Sequence, residues 1–347
     1  MVVDAQIHTG FPSIDEIRPY FPEHMRDYLA FTGYHGPDDS PYPKGAACPE
    51  PRAWVEDGPA RVGETLDSRG VDLAILTCEY PADGVMNPYT SAEFATAVNT
   101  WQAEHWLAAD ERLRGSIVLP GDAELAAAEI DRWGDDPRFV QAFFPVRSET
   151  LAGKRSNHAI WRAAAEHGLA VALGFGGVSP NPPSPAGWHT YYAEEYVAMA
   201  ITCQGQIMNL IAEGVLDRYP ATKIVCAGCG WSWLPALMWR MDKNWKGLRR
   251  EIPWVRRAPS EYMIDHLRLT LAPLDVATPE AVTESLELMG SEEMLLFSSG
   301  APHPAAVKDP WDLLEELPAE VREKVGSGNA LRFYGSERLE VEATPVS

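Results

Sequence analysis

Along the chain, short runs rich in β-branched and aliphatic residues alternate with longer stretches in which apolar residues recur every three or four positions. The short runs predict strands at Val2 to Ile7, Val71 to Cys78, Leu113 to Leu119, Phe139 to Pro145, Ala170 to Phe175, Lys223 to Ala227, Leu267 to Leu271 and Met294 to Ser298. They read as buried parallel strands. Between them, SAEFATAVNTWQAEHWLA, AELAAAEIDRWG, NHAIWRAAAEHG and TPEAVTESLELMG have the helical period, and several end in Gly as helices often do. Eight strand-then-helix units predict a closed (β/α)8 TIM barrel in one domain, residues 1–347. The alternative is a doubly wound open sheet, but no GxGxxG follows the first strand.

Two Pro- and Gly-rich segments interrupt the alternation, residues 33–63 and 175–190. Both are expected as long loops, after the first and fifth strands. There they would build or cover an active site, or make contacts between subunits.

Composition narrows the partners. Of 347 residues, 46% are hydrophobic, enough for one large core. The 29 basic and 50 acidic residues give a formal charge of −21, which argues against nucleic acid and anionic membranes, since both need clustered Lys and Arg. No apolar run approaches the roughly 20 residues of a membrane span. The start, MVVDAQIHTG, lacks the basic and apolar regions of a signal peptide, so a cytoplasmic location is expected. Five cysteines, an odd number in a long chain, do not suggest a disulfide framework.

A barrel of this kind carries its chemistry at the C-terminal ends of its strands. The first ends Asp4-Ala5-Gln6-Ile7-His8, the fifth Leu173-Gly174-Phe175-Gly176-Gly177, and the eighth Ser299-Gly300, while the sixth runs into Cys226-Ala227-Gly228-Cys229-Gly230. The expected pocket gathers Asp4, Gln6, His8, Gly174, Cys229, Trp231, Ser299, Gly300 and His303. Among the strand ends, only His8 and the acid Asp4 have side chains suited to a metal.

These stretches, with GDDPRFVQAFFPVRS, AGWHTYYAEEY, GCGWSWLPALMWRMDKNW and LLFSSGAPH, resemble the amidohydrolase-related barrels, a family that includes small aromatic-acid decarboxylases. The resemblance runs over nearly the whole chain. It is strongest to a branch with subunits of a heteromeric 2-aminoisobutyrate hydroxylase, an iron-dependent oxygenase on this fold. The resemblance implies His-x-His on strand one, His on strand five, a ligand or acid near GCGW, and Asp on strand eight in a pattern like SSDYPH. This chain has Gln6 then His8, Gly174, Ala227 in a CAGC setting, and Gly300 before Ala301-Pro302-His303.

A Zn²⁺ or Fe²⁺ site needs at least three lone-pair donors around an open position, and Gly174, Ala227 and Gly300 supply none. The standard metal centre is therefore expected to be missing, with His8 and His303 as weak candidates for a single metal. The Cys226-x-x-Cys229 spacing is expected to hold buried inert thiols, the two pointing differently. Among the 12 tryptophans, Trp233 and Trp239 are expected to fill the layer between barrel and helices, and Trp254 is a candidate subunit contact.

Three functions fit. The first is a metal-poor subunit paired with a homologous, metal-bearing chain that carries iron or zinc and acts on a small molecule. The second is a hydrolase or decarboxylase with a rebuilt mononuclear site of His8, His303 and Asp4. The third is a ligand-binding barrel without catalysis.

Overall fold

The structure is a computed structural model, and it describes residues 1–339 except 12, 35, 37–57, 79, 175, 178–180, 183, 185 and 303–307; of Tyr192 it describes the backbone alone. Eight strands lie side by side in sequence order, each parallel to the next: β1 (Val3–Thr9), β2 (Leu73–Cys78), β3 (Leu113–Val118), β4 (Phe139–Pro145), β5 (Ala170–Gly174), β6 (Lys223–Ala227), β7 (Leu267–Thr270) and β8 (Leu295–Leu296). Backbone bonds from Ala5 N–H to Phe297 O and from His8 N–H to Ala301 O bring the chain beyond β8 back to β1. The ring is a (β/α)8 barrel, as the strand-helix alternation predicts.

Seven strands match their expected positions within a few residues. The eighth is shorter than the expected Met294 to Ser298. After Leu296 the chain leaves the ladder with β7, Phe297 N–H bonds Val325 O, and the next residues pair irregularly with β1. The segment 33–63 is not a loop throughout, because a helix, Gly58–Arg69, begins inside it. Pro59 reads as a breaker in the sequence, yet in a first helical turn it costs no backbone bond. Residues 37–57 lie outside those described.

One end of the barrel is plugged. Arg338 near the C-terminus donates to the carbonyls of Gly134 and His167, just ahead of β4 and β5, and Arg114 donates to Leu339 O. Phe333 and Tyr334, from the helix Asn329–Tyr334, pack with Val3, Leu73, Ala170 and Val225. The Tyr334 hydroxyl donates to Gln141 Oε1 at 2.8 Å inside the barrel. With the N-terminal end closed by side chains, a site in the barrel must lie at the other end, where β1, β5, β6 and the chain beyond β8 place their last residues.

Trp239 corrects an expectation. On the helix Leu234–Leu248 the buried face is made by Leu234, Leu237 and Met238, and a step of about 100° past Met238 turns Trp239 to solvent. Trp233 does pack, half-buried, against the core.

Candidate functional site

The acid Asp4 and the amide Gln6 of the mouth both come from β1. The register between β1 and β2 slips between Asp4 and Ile7. Asp4 and Gln6 are both buried. Asp4 Oδ1 accepts from the backbone N–H of Ser299 at 3.0 Å and of Gln6 at 3.2 Å, so this carboxyl fastens β1 to the turn after β8. Its other oxygen, Oδ2, is buried without a hydrogen-bond partner. Burial out of water pushes the Asp4 pKa up to about 6, against the pull of its bonds to Ser299 and Gln6 and of nearby His8.

Gln6 is held by Thr270, whose hydroxyl lies 3.2 Å from Gln6 Oε1 and also accepts from Gly228 N–H at 2.9 Å. The amide nitrogen of Gln6 and the hydroxyl of Thr77 on β2 are buried without hydrogen-bond partners. Ser298 Oγ accepts from Ala272 N–H at 2.8 Å. Asp4, Gln6, Thr270 and Ser298 therefore link the ends of β1, β6, β7 and β8 through side chains.

The opposite side is apolar. A Cβ built on Gly174 would stand 1.9 Å from Cε2 of Phe143, so the β4 ring already occupies the space a β5 side chain would need. No donor fits at position 174 while Phe143 stays where it is. Gly300 differs in cause: its φ of 65° is left-handed, its N–H bonds Gln6 O, and an added Cβ would press on Ala272 at 3.3 Å. A turn that needs this backbone conformation explains that glycine without reference to any ligand.

The thiols also differ from expectation. Cys226 and Cys229 do not go separate ways, because Cys203, on the helix Tyr192–Ala212, hydrogen-bonds both of them, and all three are buried. These contacts and burial hold the Cys203 thiol well above its ordinary pKa, so this thiol stays protonated and is a poor nucleophile. No spacing rule brings in Cys203, since it arrives from another element. Trp231, expected to line the pocket, is wholly buried and donates to Leu271 O at 3.0 Å.

An acid the sequence did not single out, Asp275 after β7, caps the neighbouring turn by accepting from Trp231 and Ser232 N–H, both at 2.7 Å. Above β4, Arg147 donates to Glu195 at 2.7 Å in a buried ion pair, and burial lowers the Arg147 pKa. Two unlike charges separated by 48 positions leave no local signal.

Of the expected pocket residues, His8 lines a cavity of about 40 Å³, formed with Ile7, Arg61, Thr65, Trp106 and Pro302. That is room for a water or two, and Trp106, one of the lining residues, has a buried indole N–H without a hydrogen-bond partner. His303 lies outside the described residues. Among the described residues, no group of three or more His, Cys, Asp or Glu is placed to hold a metal ion. Among the described residues, β1 brings one imidazole (His8), one carboxyl (Asp4) and one amide (Gln6) to the mouth, and with Gly174 and Gly300 at the other strand ends these residues do not complete the metal centre that the family resemblance implies. No helix among the described residues is long and apolar enough to cross a membrane.

Residues 49–336 match the model of the Amidohydrolase family. Among solved structures, the fold is similar to 2,6-dihydroxybenzoate decarboxylase from Rhizobium, at 19% identity and a TM-score of 0.70 over 97% of this chain and 99% of that one. It is also similar to the 5-carboxyvanillate decarboxylase LigW from Sphingomonas paucimobilis, at 20% identity and a TM-score of 0.68 over 96% and 98% of the two chains. An amidohydrolase from Mycobacterium avium subsp. paratuberculosis gives 17% identity and a TM-score of 0.73 over 96% and 99%. At these identities the likeness shows the fold alone. None of the curated proteins matches the chain.

Proposed function

The chain belongs to the amidohydrolase family, and from that membership we propose that it is a metal-poor subunit working in a hetero-oligomer with a homologous, metal-bearing chain. The observation that carries the reading is the Phe143 ring, which stands in the only space a donor on Gly174 would have. A strand-end glycine alone is compatible with a water-filled gap and a metal held by other residues. A glycine whose side-chain space is packed with an aromatic ring is a committed replacement of polar by apolar contact. The stretches similar to 2-aminoisobutyrate hydroxylase subunits support an iron-dependent hydroxylase acting on a small amino or carboxylic acid, with the iron or zinc in the partner. In such a complex this chain supplies a rigid barrel, in which Asp4, Thr270 and Ser298 keep the strand ends together.

A second reading, a decarboxylase or hydrolase with a rebuilt single-metal site, is favoured by the cavity beside His8 and by a carboxyl, Asp4, that exchanges its proton near neutral pH. The names of the decarboxylase neighbours support it at the level of substrate class.

Elemental analysis of the chain purified alone separates the two. The proposal expects much less than one transition-metal ion per copy, and co-expression with the homologue should give a complex whose activity disappears when this chain is omitted. One ion per copy that is lost in His8→Ala, together with turnover of an aromatic acid by this chain alone, would replace the proposal with the second reading. Full activity of the homologue alone would end it.

A further inference from the structure

The loop after β5 is fastened near both ends to the same short stretch beyond β4. Where it begins, Arg147 N–H donates to Gly176 O at 3.2 Å, and Gly177 lies so close that an added Cβ would stand 2.4 Å from Arg147 O. Further on, Asn181 donates to Glu149 O at 2.8 Å. Where the loop ends, the Arg147 guanidinium lies 5.7 Å from the ring centre of Trp188, and it donates to Glu195 Oε1 at 2.7 Å. The next residue, His189, meets the other oxygen of that carboxylate. Its Nδ1 stands 3.6 Å from Glu195 Oε2, just beyond hydrogen-bond reach, and neither atom has a hydrogen-bond partner. Glu195 is wholly buried, while the His189 side chain is 16% exposed.

We propose that His189 and Glu195 form a proton-operated strap: protonation of His189 closes its ring onto Glu195 Oε2 and holds residues 186–189 at the β4–β5 rim of the mouth. A buried carboxylate oxygen without a donor is an unfavourable arrangement that one short bond relieves. A neutral imidazole carries its single proton on either nitrogen. Imidazolium always has one on Nδ1, and it brings the positive charge that a carboxylate out of water attracts most strongly.

The charges about the ring favour closure. On the helix Tyr192–Ala212 stand Glu195 and Glu194, the latter held below the usual carboxylate range by the backbone N–H groups of Tyr191 and Thr190 and by His189. From beyond β4 comes Arg147, which opposes a second positive charge but is itself bonded to Glu195 Oε1. The bonds that Thr190 and Tyr191 donate to Glu194, at 3.0 and 2.8 Å, do not change between pH 5 and 8, whereas an imidazole changes charge in that range. The strap therefore tightens toward pH 5.5 and slackens toward pH 8. Gly176, Gly177 and Asn181, tied through uncharged groups, stay in place at both.

The inference stands apart from the proposed function, since it concerns a loop of this chain and not its metal content. Chymotrypsin can cut after Trp188, 55% exposed, and after Phe31, 92% exposed near the end of the helix Glu23–Thr32, so the ratio of the two cuts in one digest removes the protease's own pH dependence. Cleavage of a folded chain follows the population of its locally opened state. For the full chain the ratio of the Trp188 cut to the Phe31 cut should rise at least about fivefold from pH 5.5 to pH 8, as the loss of one charge-assisted bond allows. His189→Gln, neutral throughout, should give the higher ratio at both values. Glu195→Gln should flatten the response likewise, and should that variant not fold, His189→Gln decides by itself. His24→Gln, at an exposed histidine paired with Glu93, should keep the wild-type response. A wild-type ratio equal at the two pH values would overturn the proposal, as would a ratio that falls, or a response that survives in His189→Gln.

Discussion

At the mouth of the barrel, the side built by β4 and β5 is filled with hydrocarbon, whereas the side built by β1, β7 and the turn after β8 is polar and incompletely bonded. On the first side Phe143 takes the space beside Gly174. On the second, Asp4 Oδ2, Gln6 Nε2 and the Thr77 hydroxyl are buried with no hydrogen-bond partner. The difference shows that two kinds of change have different costs. An aromatic ring that fills a vacated space gains contact with every wall of it. A buried polar atom left unpaired costs about 1–3 kcal/mol, so the polar side is the less stable arrangement and the one where bound water or ligand would be most favourable.

Substitutions on the filled side should have the largest effect. Phe143→Ala is expected to cost about 3–5 kcal/mol, measured by urea unfolding, through the cavity it leaves. Gly174→Ala should cost about 3 kcal/mol, because its methyl group and the ring cannot share the space. The double substitution should cost less than the two together, since the removed ring makes room for the methyl. Additive losses would mean that Phe143 and Gly174 are not in the conflict described.

Asp4 tests the polar side, with a smaller and pH-dependent effect. Its folded pKa of about 6 lies above the ordinary value of 3.8, so the folded protein binds the proton more tightly than the unfolded chain. The associated stability is complete below about pH 4 and is lost as the pH rises through 6. Asp4→Asn keeps an oxygen for Ser299 and Gln6 but has no charge to bury. It should therefore match wild type at pH 4 and exceed it by about 2–3 kcal/mol at pH 7. A variant less stable than wild type at pH 7 would show that the ionised carboxylate is in use.

The smallest expected change is at Thr77. Thr77→Val removes an unpaired hydroxyl at constant volume and should raise stability by about 1 kcal/mol, the low end of the cost of such an atom. A loss of more than that would reveal a partner for the hydroxyl, and the polar side would then be a working site.

Much of the framework was legible because it rests on local pattern. Apolar runs such as Phe139–Pro145 and Lys223–Ala227 are covered on both faces, and their composition alone marks them as interior parallel strands. The bare positions Gly174, Ala227 and Gly300 were also readable, as was the survival of His8. The partners that give those positions meaning were not. Phe143 precedes Gly174 by a whole strand-helix unit, Ser299 reaches Asp4 across the length of the chain, and Cys203 joins Cys226 and Cys229 from a different layer.

By itself the sequence determined the barrel, the order of its strands and the end at which a site can lie, because hydrophobic period and right-handed strand-helix-strand connection are properties of neighbouring residues. Only the tertiary structure decided that Gly174 is packed shut while Gly300 is a left-handed turn, that Trp239 is exposed, and that Asp4 titrates near 6. Each of those depends on which atoms from distant parts of the chain arrive in the same few ångströms, and on how much water they exclude.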